Sequence, residues 1–333
     1  MLWAGGPVPE LFADLVGQRQ ARTLLSAALE RERLAPAYLF AGPEGVGRRL
    51  AALRFLEGML AGLEGSPLQR RRLAEGNHPD LLWVEPTYLD KGELIPQSQA
   101  EERGVSRRSP PQLRLDQIRE VSRFLARRPV EAPGCLVVLE QVELMAEAAA
   151  NALLKTLEEP GDGVLLLISA APEQLLSTIR SRCQLVPFTR LQPGELAGVL
   201  ARCPDPEPAG AAEPAELLEL AAGSPGALLR HRQAWRALPE GLAGRLQALA
   251  PADPLAALAL ARDLTDALDG EQQLWLLSWW QLWLWRRHGR ADLLRRLEQL
   301  RSQLRAYVQP RLAWEVALLE LARLMPGAPA SVA

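Results

Sequence analysis

Lysine is nearly missing from this chain: of 38 basic residues only Lys91 and Lys155 are lysines, and the rest are arginine. An arginine standing where lysine is expected therefore says little here, whereas an arginine in place of serine or threonine says much. Cysteine is also scarce. Cys135, Cys183 and Cys203 are scattered and odd in number, which excludes a disulfide framework and a C-x-x-C metal site. The three histidines, His78, His231 and His288, lie far apart and supply no ligand cluster. No apolar run reaches the roughly 18–20 residues of a membrane span; the longest, Leu274–Trp285, is broken by Ser278 and Gln281. The N-terminus lacks a signal-peptide layout, so the expected compartment is the cytoplasm, with no membrane partner. A formal net charge of -2 gives no global field to recruit nucleic acid.

What remains is an ordinary globular composition, 48% hydrophobic and 23% charged over 333 residues, which allows two or three domains. Residues Leu11–Arg33 read as helical. Short apolar runs at Ala37–Ala41, Asp80–Val84, Cys135–Leu139 and Val164–Ser169 read as strands. Helical patterns at Arg48–Leu60, Leu115–Ala126 and Ala146–Leu157 lie between them, the signature of a parallel sheet covered on both faces. Polar Tyr88–Pro111 reads as a long flexible surface insertion. After Pro187 only helices are expected: Pro193–Leu200, Glu213–Ala222 and a helix opened by Gly223-Ser224-Pro225-Gly226, around a connector Pro204–Pro214. From Gly241 onward Pro251, Pro254 and Pro310 mark starts or breaks. The expected division is an α/β domain at 1–188, a small helical lid at 189–236 and an all-α domain at 237–333.

Gly42-Pro43-Glu44-Gly45-Val46-Gly47-Arg48-Arg49 has the glycine spacing of a phosphate-binding loop between a strand and a helix. Such loops end in Lys, which neutralises phosphate, and Ser or Thr, whose hydroxyl holds Mg²⁺. Here Arg48 and Arg49 take both places, and Arg49 cannot ligate a metal. The run Cys135–Leu139 then ends in Glu140-Gln141, where a nucleotide hydrolase carries Asp-Glu; glutamine is no general base. Ser169, closing the next apolar run, either reaches a phosphate or satisfies local backbone. Asn151-Ala152-Leu153-Leu154-Lys155-Thr156-Leu157-Glu158-Glu159-Pro160 is an amphipathic helix stopped by proline, and Ser181-Arg182-Cys183 follows Leu176–Arg180.

Together with Leu15-Val16-Gly17-Gln18, these tracts identify the chain as resembling the clamp-loader branch of the AAA+ superfamily, and within it the delta-prime type of bacterial DNA polymerase III subunit. The match by motif covers about residues 10–230. The fold implied is a P-loop (AAA+) α/β domain, a helical lid and an all-α collar. The resemblance assigns Arg182, flanked by Ser181 and Cys183, a reach in trans to a neighbouring subunit's ATP, a role suited to a permanently charged planar fork. It implies gamma/tau-type ATPase subunits, a delta subunit, the sliding clamp and, through the complex, primed DNA as partners, in clamp loading for DNA replication. Lys155 and Glu158 belong to its motif. Gly42, Gly47, Arg48, Arg49, Glu140, Gln141 and Ser169 would form a degenerate, inactive nucleotide site, so no intrinsic ATPase is expected of this polymerase-holoenzyme subunit.

Two departures from the family bear on that expectation. Hydrolysing relatives carry a sensing arginine just after a Gly-Ser pair; here Gly223-Ser224 leads to Pro225-Gly226. The family's zinc-binding cysteines have no counterpart in Leu56–His78, so no zinc and no other cofactor is expected. In the last third, Trp275, Trp279 and Trp283 share a helical stripe, read as packing or subunit contact. Arg286, Arg287, Arg290, Arg295, Arg296, Arg301, Arg305 and Arg311 read as a solvated face. The alternatives are a hydrolysing gamma-type motor, and a nucleic-acid module using this Trp/Arg region.

Overall fold

The computed structural model describes residues 10–100, 102–105, 110–159, 161–202, 213–249, 253–306 and 308–325. Pro160, Cys203, Pro251, most of the 204–214 connector and residues 101 and 106–109 of the expected insertion lie outside the described residues. The chain divides into two compact units: residues 1–204 with 223–226, and residues 205–222 with 227–333.

The first unit is built on β1 (Ala37–Ala41), β2 (Leu81–Val84), β3 (Thr87–Asp90), β4 (Glu93–Pro96), β5 (Leu136–Leu139), β6 (Val164–Ser169) and β7 (Gln184–Pro187). Five of them form a sheet in the order β2-β5-β6-β1-β7, every neighbouring pair parallel. Its helices are α1 (Arg19–Glu30), α2 (Arg48–Ala61), α3 (Pro67–Ala74), α4 (Leu115–Leu125), α5 (Glu147–Glu158), α6 (Ser177–Arg180) and α7 (Pro193–Arg202). The central strands β1, β5 and β6 are buried along their whole length because both faces are covered. Alternate residues serve two cores. Tyr38, Phe40, Val138 and Leu166 pack with Phe55 and Leu56 of α2, while Leu39, Val137, Leu139 and Leu167 pack with Val121 of α4 and Leu153 of α5.

Two segments correct the sequence reading. Residues 88–96 are no featureless insertion. β3 and β4 pair antiparallel, joined by Lys91 and Gly92 at φ 48° and 88°, the left-handed pair that a tight hairpin turn demands. Tyr88, Ile95, Ala100 and Val105 form a small core of their own. The polar composition hid it, because four apolar side chains suffice. The strand β7 also escaped notice: Gln184 and Leu185 are exposed at the sheet edge, so it lacks the apolar run of the central strands.

The cysteine-free stretch after α2 is tied down by a carboxylate. Glu57, fully buried, accepts from Ser66 N–H at 2.9 Å and from Arg70 Nε at 2.9 Å, with Arg54 Nη1 at 3.3 Å. A buried charge is tolerable when it is paired and hydrogen-bonded in this way.

The second unit is helical: α8 (Ala215–Ala221), α9 (Pro225–Arg236, of which residues 227 onward belong here), α10 (Leu242–Gln247), α11 (Pro254–Ala267), α12 (Gly270–His288), α13 (Ala291–Arg305) and α14 (Pro310–Leu324). Proline opens α11 and α14, where its missing N–H would go unused anyway. Asp269 and Gln272 cap α12 reciprocally. Leu264, Leu276, Trp279, Trp280, Leu297 and Trp314 form its buried interior. Among the described residues, no helix is long and apolar enough to cross a membrane.

Candidate functional site

The loop 42–47 leaves the carboxyl end of β1, the end at which open parallel sheets place ligands. Its first turn requires glycine. At Gly42 φ is +155°, and a Cβ would fall 2.3 Å from the Phe188 carbonyl oxygen. The Gly42 N–H donates to the Ser169 carbonyl at 3.2 Å. Ser169 is wholly buried, and its hydroxyl oxygen accepts from Ala171 N–H at 3.2 Å, so that side chain serves local backbone. Buried Gln18 braces the loop: its amide donates to the Val46 carbonyl at 3.2 Å and the Thr189 carbonyl at 2.7 Å. Gly47 then caps α2. The frame of a phosphate loop is intact.

The side chains in that frame belong to a different chemistry. Arg48 is buried. Arg49 reaches across to Glu140 at the end of β5, with Nη1 3.0 Å from Oε1, and its guanidinium lies 4.8 Å from the Trp83 ring centroid. Trp83 Nε1 donates to the same carboxylate oxygen at 3.0 Å. The acid that would turn toward Mg²⁺ in a hydrolase is therefore occupied by a cation from the protein itself. Burial pushes the Glu140 carboxyl pKa up, opposed by the Arg49 charge and the Trp83 hydrogen bond. Removing Arg49 (Arg49→Ala) takes away the larger opposing influence, so the Glu140 pKa should rise further. Side-chain carboxyl NMR titration checks this; an unmoved titration would remove Arg49 as the counterion. Gln141 adopts a left-handed conformation, φ 49°, and its carbonyl accepts from Leu144 N–H at 2.8 Å.

Residues 223–226 lie on the loop within the same unit. The Ser224 hydroxyl donates to the Glu44 carbonyl at 2.6 Å, and Gly226 N–H donates to the Gly45 carbonyl at 3.0 Å. A Cβ on Gly226 would stand 2.9 Å from the Gly45 Cα. Three features set this arrangement apart from the Mg·ATP chemistry of a hydrolase: Arg49 stands in place of the metal-binding hydroxyl, the acid is paired, and the loop apex is bonded to 224–226.

A second cluster surrounds Arg182, after α6. Its Nη1 donates to the Thr178 carbonyl at 3.0 Å and its Nη2 to Glu158 Oε1 at 2.8 Å. The Arg182 side chain is 36% exposed and that of Glu158 53%. Ser181 donates its hydroxyl to the Thr178 carbonyl at 3.2 Å. Burial pushes the Cys183 thiol up to about 11, which leaves it a thiol and not a nucleophile at neutral pH. Lys155 lines an open groove of about 750 Å³ between α4 and α5, with Arg119, Ser122, Asn151 and Thr156. Thus Arg49 and Glu140 meet, Arg182 and Glu158 meet, and the Ser169 hydroxyl is taken up by local backbone. Trp83 and Gln18 are the side chains whose roles sequence reasoning missed. The opposite charges of Arg49 and Glu140, each in a metal-binding position, were the signal for their pairing.

Comparison with known proteins gives the family. Residues 17–192 match the family model described as DNA polymerase III, delta subunit, and residues 194–321 match that of the cyanobacterial DNA polymerase III delta prime C-terminal domain. The chain is 39% identical to DNA polymerase III subunit delta' of Pseudomonas aeruginosa over 64% of its own length and 60% of that protein. It is 34% identical to subunit delta' of Bacillus subtilis, over 53% of its length and 49% of that protein, so it spans only part of either relative. Subunit gamma/tau of Mycobacterium tuberculosis is 30% identical over 58% of this chain and 31% of that protein. The motifs and these matches together place the chain in the delta-prime family of DNA polymerase III subunits.

Proposed function

We propose that this chain is a non-hydrolysing member of a clamp loader: a scaffold that supplies Arg182 in trans to a neighbouring subunit's ATP while that complex loads a sliding clamp onto primed DNA. Gamma/tau-type ATPase subunits and a delta subunit are its proposed partners. It binds no cofactor of its own in this reading. The observation that carries the proposal is the Arg49–Glu140 ion pair, 3.0 Å across, which neutralises inside the chain the acid a motor would keep for Mg²⁺. A motor needs Glu140 free of such a partner.

The nucleic-acid reading of the last third is weakened by burial and pairing. Trp279 and Trp280 are fully buried, and Arg286, Arg296, Arg301 and Arg311 are all in ion pairs with glutamates of the same unit. Aromatic platforms for bases need an open face.

Restoring the loop chemistry tests the proposal. In an equilibrium titration with a fluorescent ATP analogue and Mg²⁺, neither the natural chain nor Arg48→Lys/Arg49→Thr should bind more tightly than about 1 mM, roughly 4 kcal/mol. The double variant keeps Gly226 bonded to Gly45, so the charges alone should not recover the site. Tight binding by the natural chain would overturn the cofactor-free reading, and turnover would overturn the non-hydrolysing assignment.

A further inference from the structure

We infer that Glu158 is a positioning residue for Arg182, fixing the direction of the guanidinium before a neighbour's phosphate meets it; this rests on the trans-arginine reading proposed above. Three observations carry it. First, Glu158 is the last residue of α5 and is followed by Glu159. Carboxylates at the negative end of a helix are disfavoured by the helix dipole, so helix stability does not explain the placement. Second, the two anchors of Arg182 come from different elements. Nη1 is held by the Thr178 carbonyl on α6, and Nη2 by the Glu158 carboxylate on α5. Two hydrogen bonds to separate supports fix the plane of a rigid fork, which one bond cannot. Third, a guanidinium has five N–H donors; these two bonds leave three for a phosphate.

The pair does little for folding. Both side chains are substantially exposed, at 36% and 53%, and exposed ion pairs contribute little to stability. Its value lies in geometry. A catalytic group held by supporting bonds acts without reorganising, and a misplacement of about 1 Å can cost 10²-fold in rate. An approaching γ-phosphate attracts Arg182 and repels Glu158. The carboxylate therefore works from behind the guanidinium, as a support that the substrate does not touch.

The test uses the complete complex reconstituted with its ATPase subunits, at matched assembly and with folding checked by circular dichroism. Steady-state kcat and KM for ATP are compared for Glu158→Ala, Glu158→Gln, Arg182→Ala and the Glu158→Ala/Arg182→Ala double variant. Glu158→Ala should lower kcat about tenfold at the site Arg182 serves, within the misplacement range above, with KM unchanged. Glu158→Gln keeps an acceptor oxygen and should lose less. The double variant should match Arg182→Ala alone, because Glu158 acts only through that arginine. If Arg182→Ala slows hydrolysis but Glu158→Ala does not, the positioning role is overturned while the trans arginine stands. A faster Glu158→Ala complex would make the carboxylate a restraint, which also overturns it. If Arg182→Ala itself changes nothing, the trans-arginine reading fails and takes this inference with it.

Discussion

Arg182→Ala is expected to slow ATP hydrolysis at the neighbouring subunit's site by about 10³–10⁵-fold, the range set by trans arginines in the GTPase precedent. The variant should fold normally. What it loses within its own chain is one exposed ion pair with Glu158 and one bond to the Thr178 carbonyl, and exposed pairs of this kind contribute about 0–1 kcal/mol. Arg182→Lys should rescue poorly, since an ammonium keeps the charge but not the planar fork. In a complex whose other subunits carry arginines of their own, total hydrolysis should fall only in part. The measurement is ATPase and clamp-loading rate in a complex reconstituted with DNA and clamp, at matched assembly. Unchanged rates would leave Arg182 an ordinary surface residue.

A large stability effect should come from Trp279. The sequence placed it on a stripe with Trp275 and Trp283, but the three are not equivalent. Trp279 has no exposed surface and meets the Trp235 ring with centroids 4.9 Å apart. Trp275 is only partly buried and donates its indole N–H to His231 at 3.0 Å, and Trp283 is likewise partly buried. Trp279→Ala should therefore cost about 3–5 kcal/mol, the range for emptying a large aromatic site. Trp285→Ala, at a position 48% exposed, should stay within about 0.5 kcal/mol. Chemical denaturation of the full chain, read by far-UV circular dichroism, checks both. Equal costs would mean the packing described for α12 is wrong.

The central strands were legible because burial on both faces leaves a continuous apolar run, and Ala37–Ala41 and Val164–Ser169 match the structure residue for residue. The helices α2, α4 and α5 were legible within a residue or so, from periodicity bounded by glycine and proline. The edge strand β7 and the hairpin β3–β4 were not, since each buries too few side chains to leave a pattern. At the candidate site, the sequence exposed the missing metal ligand at Arg49 and the altered acid at Glu140. It could not say that the two touch, because residues 49 and 140 are brought together only by the placement of β1 and β5 on either side of β6. The hydrogen bond of Ser169 to Ala171 was open to either reading beforehand, as the same hydroxyl could serve backbone or ligand.

The contact between Gly226 and Gly45 has a consequence for how such a chain can change over generations. A sensing arginine in that part of the lid helix would need a Cβ, and at 226 that atom would stand 2.9 Å from one backbone atom and 3.1 Å from another of Gly45. Backbone cannot step aside as a flexible side chain can. A side chain at 226 would thus require the loop and residues 223–226 to shift together. Under the proposed non-hydrolysing role, the close approach of two glycines acts as a ratchet, because an arginine at 226 is not reached by a point change alone.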